Sequence, residues 1–162
     1  LINKKSWIQS GIFCAKIQNM KKDFSIDEIE KIAQEIYNHI GGGNGEMAQV
    51  VALDGELGAG KTTLTQRISK LFGVQADVIS PTFTIMKKYE TNDKNFKNLI
   101  HIDAYRLDKE DELTNLGWSE MLRDKDNLII SEWPERVANL IPQHSSVIKL
   151  EHRHEGKRSI TF

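Results

Sequence analysis

Residues Gly55-Glu56-Leu57-Gly58-Ala59-Gly60-Lys61-Thr62 fit the pattern G-x-x-x-x-G-K-[ST] without a gap. Glycines at these positions let a backbone curl tightly and turn several N–H groups inward. A helix that starts at the lysine adds the free amides and positive dipole end of its first turn. Such a loop favours phosphate. Lys61 reaches the outer phosphates as a point charge, and the Thr62 hydroxyl suits Mg²⁺. A glycine-rich turn matches this pattern by chance in well under about one chain in a hundred of this length, at ordinary glycine usage.

A phosphate loop that works with Mg²⁺ needs a carboxylate at a strand end. Two segments offer one: His101-Ile102-Asp103 and Ile129-Ile130-Ser131-Glu132. Both acids follow apolar runs, and open α/β sheets gather ligands at the carboxyl ends of their strands. Each acid alone is equally well a solvated residue just past a strand. Ser80-Pro81-Thr82-Phe83 is either a switch that feels the γ-phosphate or a plain turn set by Pro81. Trp133 is either core packing or a platform beside a nucleotide.

These groups need elements to place them. Ser25-Ile26-Asp27-Glu28 reads as a capping box, and Ile26, Ile29, Ile32, Ala33, Ile36 and Ile40 repeat at helical spacing. The Gly41-Gly42-Gly43-Asn44-Gly45 cluster ends that helix. Gln49 to Leu53 is a short buried strand. The next helix runs from about Lys61 to Phe72, with Gly73 closing it. Strands are expected at Phe83–Tyr89, Leu99–Asp103 and Leu128–Glu132. A helix broken at Gly117 is expected over Asp111–Leu122, and a short one over Glu135–Ile141, stopped by Pro142. Val147–Leu150 and Ser159–Phe162 read as a hairpin around Glu155-Gly156. Alternating strands and helices imply an α/β three-layer sandwich. Its central sheet is mostly parallel, with antiparallel C-terminal edge strands.

The 162 residues fit one domain. Residues 23–162 are assigned to it, and residues 1–22 to a leader or extension outside the fold, with Met20 as an internal candidate start. A net charge of −1 argues against a protein that coats nucleic acid by charge alone. The single cysteine, Cys14, precludes an internal disulfide. No apolar run approaches the roughly 18–20 residues of a membrane span.

Taken with Thr63, Thr84 and the strings His101-Ile102-Asp103-Ala104-Tyr105-Arg106-Leu107 and Glu132-Trp133-Pro134, these motifs resemble the TsaE (YjeE) family in order and spacing. These are small bacterial P-loop ATPases required for threonylcarbamoyladenosine at position 37 of certain tRNAs. The resemblance covers about Ser25 to Arg158. It implies ATP/ADP rather than GTP, a cytoplasmic protein, and partnership with TsaB and TsaD, through which tRNA is met indirectly. Alone, the chain is expected as a monomer or weakly self-associated, and off the membrane. The resemblance implies Thr62 and Glu132 as Mg²⁺ ligands, Asp103 as needed for activity, and Thr82 as a switch residue. With Lys61, Asp103 and Thr82 form the expected catalytic set. The expected nucleotide contacts are Ser25, the P-loop from Gly55 through Glu56, Leu57, Gly58, Ala59, Gly60, Lys61 and Thr62 to Thr63, then Trp133 and a late basic residue, Lys157 or Arg158. Glu56 stands where many relatives carry Asp. The rival reading is a small P-loop nucleotide or metabolite kinase. Such enzymes usually carry an arginine-bearing lid, and no arginine cluster here suggests one. A GTPase is disfavoured because D-x-x-G and N-K-x-D are both absent.

Overall fold

The computed structural model describes residues 20–40 and 45–162. The expected leader through residue 19 and the loop residues Gly41 to Asn44 lie outside the described residues. The chain runs β1 (Lys21–Phe24), a 3-10 turn (Ile26–Glu28), α1 (Ile29–Ile40), β2 (Gln49–Gly55), α2 (Lys61–Leu71), β3 (Met86–Glu90) and β4 (Asn98–Asp103). It continues with a 3-10 turn (Ala104–Arg106), α3 (Glu110–Asn115), α4 (Trp118–Arg123), β5 (Asn127–Glu132) and a 3-10 turn (Pro134–Val137). After these come β6 (Ser146–His152) and β7 (Arg158–Thr161).

One seven-stranded sheet has the order β1-β7-β6-β2-β5-β4-β3. The four central strands, β6, β2, β5 and β4, are mutually parallel. β3 at one edge and the β7–β1 pair at the other are antiparallel. The sheet is mixed as expected, and it gains an antiparallel strand at each side. β1 takes in Lys21 and Lys22, two residues that the sequence reading placed outside the fold. Lys-Lys-Asp-Phe has no strand signature of its own; pairing with β7, Lys21 opposite Thr161 and Phe24 opposite Arg158, makes it one.

The central strands alternate strictly. Val51, Leu53, Leu99, Leu128 and Ile130 pack with α1 and α2 in one apolar core. Val50, Ala52, Ile100, Ile102 and Ile129 pack with Leu113, Trp118 and Val137 in another on the opposite face. That period of two makes three layers. It also puts His101, Asp103 and Glu132 on the α2 face, in register with the odd positions of β4 and the even positions of β5.

Two of the expected elements differ from the sequence reading. The strand expected from Phe83 begins at Met86. Ile85 sits at φ 65, a left-handed backbone that a branched residue rarely adopts, and Thr84 N–H turns back to Pro81 O at 2.9 Å. The expected helix over Glu135–Ile141 is a 3-10 turn at Pro134–Val137. The expected break at Gly117 is present: α3 ends at Asn115, and Gly117 is the N-cap of α4. At Ser25, the Glu28 carboxylate accepts from the backbone N–H at 2.9 Å, which completes the expected return half of the capping box. No helix of the described residues is long and apolar enough to cross a membrane.

Candidate functional site

The loop between β2 and α2 is built by its glycines. Gly60, the N-cap of α2, has φ 103, a conformation open mainly to glycine. At Gly55 a Cβ would stand 2.7 Å from Leu150 O, so the loop lies directly against β6. The first amides of α2 have no partner within the helix and face the turn. Lys61 curls back into this loop. Its Nζ donates to Gly55 O at 2.7 Å and Glu56 O at 3.0 Å, and lies 3.8 Å from the centre of the Trp133 ring. Burial pushes the Lys61 ammonium below its ordinary pKa, opposed by the negative charges of Glu132, Glu135, Asp103 and Asp54. An ammonium held under that desolvation favours a phosphate counter-charge.

Two strand-end carboxylates stand across from the loop. Asp103 and Glu132 are directly paired in the β4–β5 register. Both are nearly inaccessible, at 4% and 2% exposure. Thr62 Oγ1 donates to Glu132 Oε2 at 3.0 Å. Thr65, one turn later in α2, donates weakly to Glu132 Oε1 at 3.4 Å and to Lys61 O at 3.1 Å. His101 Nε2 lies 2.8 Å from the same Oε1. Asp103 is held differently. Oδ2 accepts from Thr82 Oγ1 at 2.6 Å and from Ser80 Oγ at 3.1 Å, while Oδ1 caps the backbone N–H of Tyr105 at 3.1 Å. The Ser80 and Thr82 hydroxyls are 2.5 Å apart.

One cleft of about 290 Å³ is lined by the loop from Leu57, Gly58 and Gly60 to Thr63, with Ser80, Thr82, Asp103, Tyr105, Glu132 and Trp133, while His101 and Thr65 stand behind it. The sequence-derived set therefore converges, with specific outcomes at its margins. Trp133 faces the cleft and is also packed on Tyr105, ring centres 4.9 Å apart, and its φ of 59 turns the chain sharply into Pro134. Glu56 contributes its carbonyl to Lys61, and the buried Ala59 seats the loop, its N–H donating to Glu56 O at 3.1 Å. Of the two late basic residues, Arg158 is the one beside the loop: its Nε is 3.6 Å from the Cβ position of Gly60, and that buried nitrogen has no hydrogen-bond partner. Lys157 is exposed. Ser25 does not line the cleft; it follows Phe24, which pairs with Arg158. The arginines do not converge on the cleft as a lid would: Arg106 lies 4.3 Å from the centre of the Phe83 ring, and Arg136 lies 6.0 Å from that of Tyr105.

The sequence reading assigned no role to His101 or Thr65, and named Ser80 only as part of the candidate switch segment. Strand alternation carried a signal for His101, which is two residues before Asp103 and so on the same face. Thr65 is one helical turn after Thr62.

The donors here are oxygen only: a threonine hydroxyl and carboxylates. Hard cations such as Mg²⁺ take that chemistry, usually with one or two carboxylates and with phosphate oxygens completing the shell. The residues present fit such an ion.

Comparison with known proteins gives the same grouping. The family model described as "Threonylcarbamoyl adenosine biosynthesis protein TsaE" matches residues 24–160. The protein called tRNA threonylcarbamoyladenosine biosynthesis protein TsaE in Rickettsia felis is 40% identical over 110 residues, 67% of this chain and 61% of that one. Its Bacillus subtilis counterpart is 38% identical over 70% of this chain and 68% of its own. That of Treponema pallidum is 34% identical over 72% and 82%. The crystal structure of Bacillus subtilis YdiB superposes with a TM-score of 0.69 at 26% identity, covering 90% of this chain and 85% of that one. The aligned region spans about three fifths of the Rickettsia relative's length. A match that runs from Phe24 at the end of β1 to Ile160 in β7, and so takes in β2 through β6 whole, means that this chain belongs to the TsaE family.

Proposed function

We propose that this protein binds ATP with Mg²⁺ in the cleft and hydrolyses it in tRNA threonylcarbamoyladenosine biosynthesis, in the cytoplasm, together with TsaB and TsaD. The observation that carries the reading is the contact of Thr62 Oγ1 with Glu132 Oε2 at 3.0 Å, which joins the phosphate loop to a strand-end carboxylate. In this reading the loop amides, Lys61 and Arg158 bind the phosphates. Thr62 and Glu132 hold the cation, which supplies charge neutralisation across the phosphates. Asp103 orients the attacking water, and Thr82, tied to it, reports on the terminal phosphate. Family membership supports the pathway, and the oxygen-only donor set supports the ion.

Phosphoryl transfer of this kind depends on positioning and charge stabilisation. Apart from Arg158, no arginine stands against the loop among the described residues, so turnover by the isolated chain is slow. The partner assembly gates or completes the site, and tRNA is met through it. The test is ATP turnover with and without TsaB and TsaD, alongside threonylcarbamoyladenosine formation on tRNA. Stimulated turnover and a modification that depends on this chain are expected. Equal turnover in both conditions contradicts the partner dependence. Phosphate transfer to a small acceptor without partners favours a kinase instead.

A further inference from the structure

We propose that His101 is a positioning residue that fixes one oxygen of the Glu132 carboxylate so that the other is presented to the divalent cation; the inference rests on the Mg²⁺–nucleotide reading of the cleft. His101 is fully buried in β4, between the apolar residues Ile100 and Ile102. Its Nε2 is 2.8 Å from Glu132 Oε1. A carboxylate oxygen accepts here, so Nε2–H is the donor, and Nδ1 is the ring's other nitrogen. That Nδ1 is buried and has no hydrogen-bond partner. Leaving a polar atom buried and unpaired costs free energy, so an apolar side chain is the better filler on stability alone. The bond from Nε2 is what a histidine provides here and a leucine does not.

The other donors to Glu132 have competing duties. The Thr62 hydroxyl lines the cleft and is the group a cation would recruit. Thr65 shares its proton with Lys61 O, which is closer than the carboxylate. His101, unlike Thr65, makes no second hydrogen bond, and unlike Thr62 it does not line the cleft. It approaches Oε1 from the sheet, while Thr62 meets Oε2 at the cleft. When Thr62 turns to a cation, His101 at 2.8 Å is the stronger of the two contacts, with Thr65 at 3.4 Å, that keep the carboxylate from rotating. Partners that orient metal ligands in this way typically affect metal affinity about 10- to 100-fold.

The experiment measures nucleotide affinity across a Mg²⁺ series, and in chelator, for the full chain and three variants. His101→Leu removes the donor at similar volume. His101→Gln returns an amide N–H near the Nε2 position, and His101→Asn places its amide too short to reach Glu132. His101→Leu and His101→Asn are expected to raise the half-saturating Mg²⁺ concentration about tenfold or more, with affinity in chelator within about twofold of the parent. His101→Gln is expected to return it close to the parental value. A folded His101→Leu with the parental Mg²⁺ midpoint overturns the proposal. If His101→Leu does not fold, equal midpoints for His101→Gln and His101→Asn overturn it instead. A parent whose nucleotide binding ignores Mg²⁺ overturns the reading of the cleft itself, and this inference with it.

Discussion

Thr82 Oγ1 donates to Asp103 Oδ2 at 2.6 Å, which ties the segment after α2 to the end of β4. Ser80 Oγ reinforces the same oxygen. Asp103→Asn keeps the shape and one carbonyl able to accept from Thr82 and Ser80, while losing the charge and, at its NH2, the cap on Tyr105 N–H. Nucleotide affinity should stay within about twofold, whereas ATP turnover with partners should fall on the order of 10²-fold, as for loss of a proton-handling group. Steady-state turnover and calorimetric binding on the same preparation check it; parental turnover would remove the carboxylate charge from catalysis.

Glu132 should behave differently. Glu132→Ala takes away the carboxylate proposed to hold the cation and leaves the hydroxyls of Thr62 and Thr65 and the imidazole of His101 without their common acceptor. ATP affinity in Mg²⁺ should drop to the level seen in chelator. The fold should lose roughly 1–3 kcal/mol from buried donors left unpaired. Urea unfolding and a Mg²⁺ titration measure the two effects separately. A variant that binds Mg²⁺–ATP like the parent rules out the metal role.

Lys61→Ala should cost ATP roughly 1.5–3 kcal/mol of binding, the worth of a hydrogen bond to a charged group, with little loss of fold stability. The ammonium is already disfavoured by burial, so its removal costs the fold little. Phosphate should also draw Nζ away from the Trp133 ring, changing indole emission on ATP addition. Trp133→Phe and Lys61→Ala should each abolish that part of the fluorescence change. An unaltered response in both variants would show that the cation–ring contact does not report on the ligand.

Asp54, next to Gly55, gives a pH test of stability. Burial raises its carboxyl above the ordinary aspartate pKa, opposed by Lys149, the Gly55 N–H and Lys61. A raised folded-state pKa means that the folded chain holds this proton more tightly than the unfolded one. The resulting stabilisation is present in acid and is lost as pH rises through that pKa. Asp54→Asn should therefore be more stable than the parent at pH 7, and the gap should narrow toward pH 4. Urea midpoints at the two values decide it; a gap that widens in acid has the wrong sign.

Much of the site was legible because its signals are local. The P-loop spacing, and an acid at the end of an apolar run, are read within a few residues, and both survive folding unchanged. The start of β3 was not legible, because Phe83 to Ile85 read as strand residues and are kept out of it by a turn back to Pro81 and a left-handed Ile85. β1 was missed for a similar reason: Lys21-Lys22-Asp23 becomes a strand only through β7 at the far end of the chain. The choice between Lys157 and Arg158 is a matter of strand phase, set by where β7 begins. His101 looked like one polar residue among strand positions. Only the parallel pairing of β4 and β5 brings it to Glu132.

Gly55 lies against Leu150 O, with no room for a side chain between them. The ribosome therefore makes the phosphate loop long before it makes the wall the loop leans on. A nascent chain that has exposed only β2 and α2 carries the whole nucleotide motif without β6 behind it or Arg158 beside it. On the proposed function, the loop is complete only once β6 has joined β2 and β7 has brought Arg158 alongside.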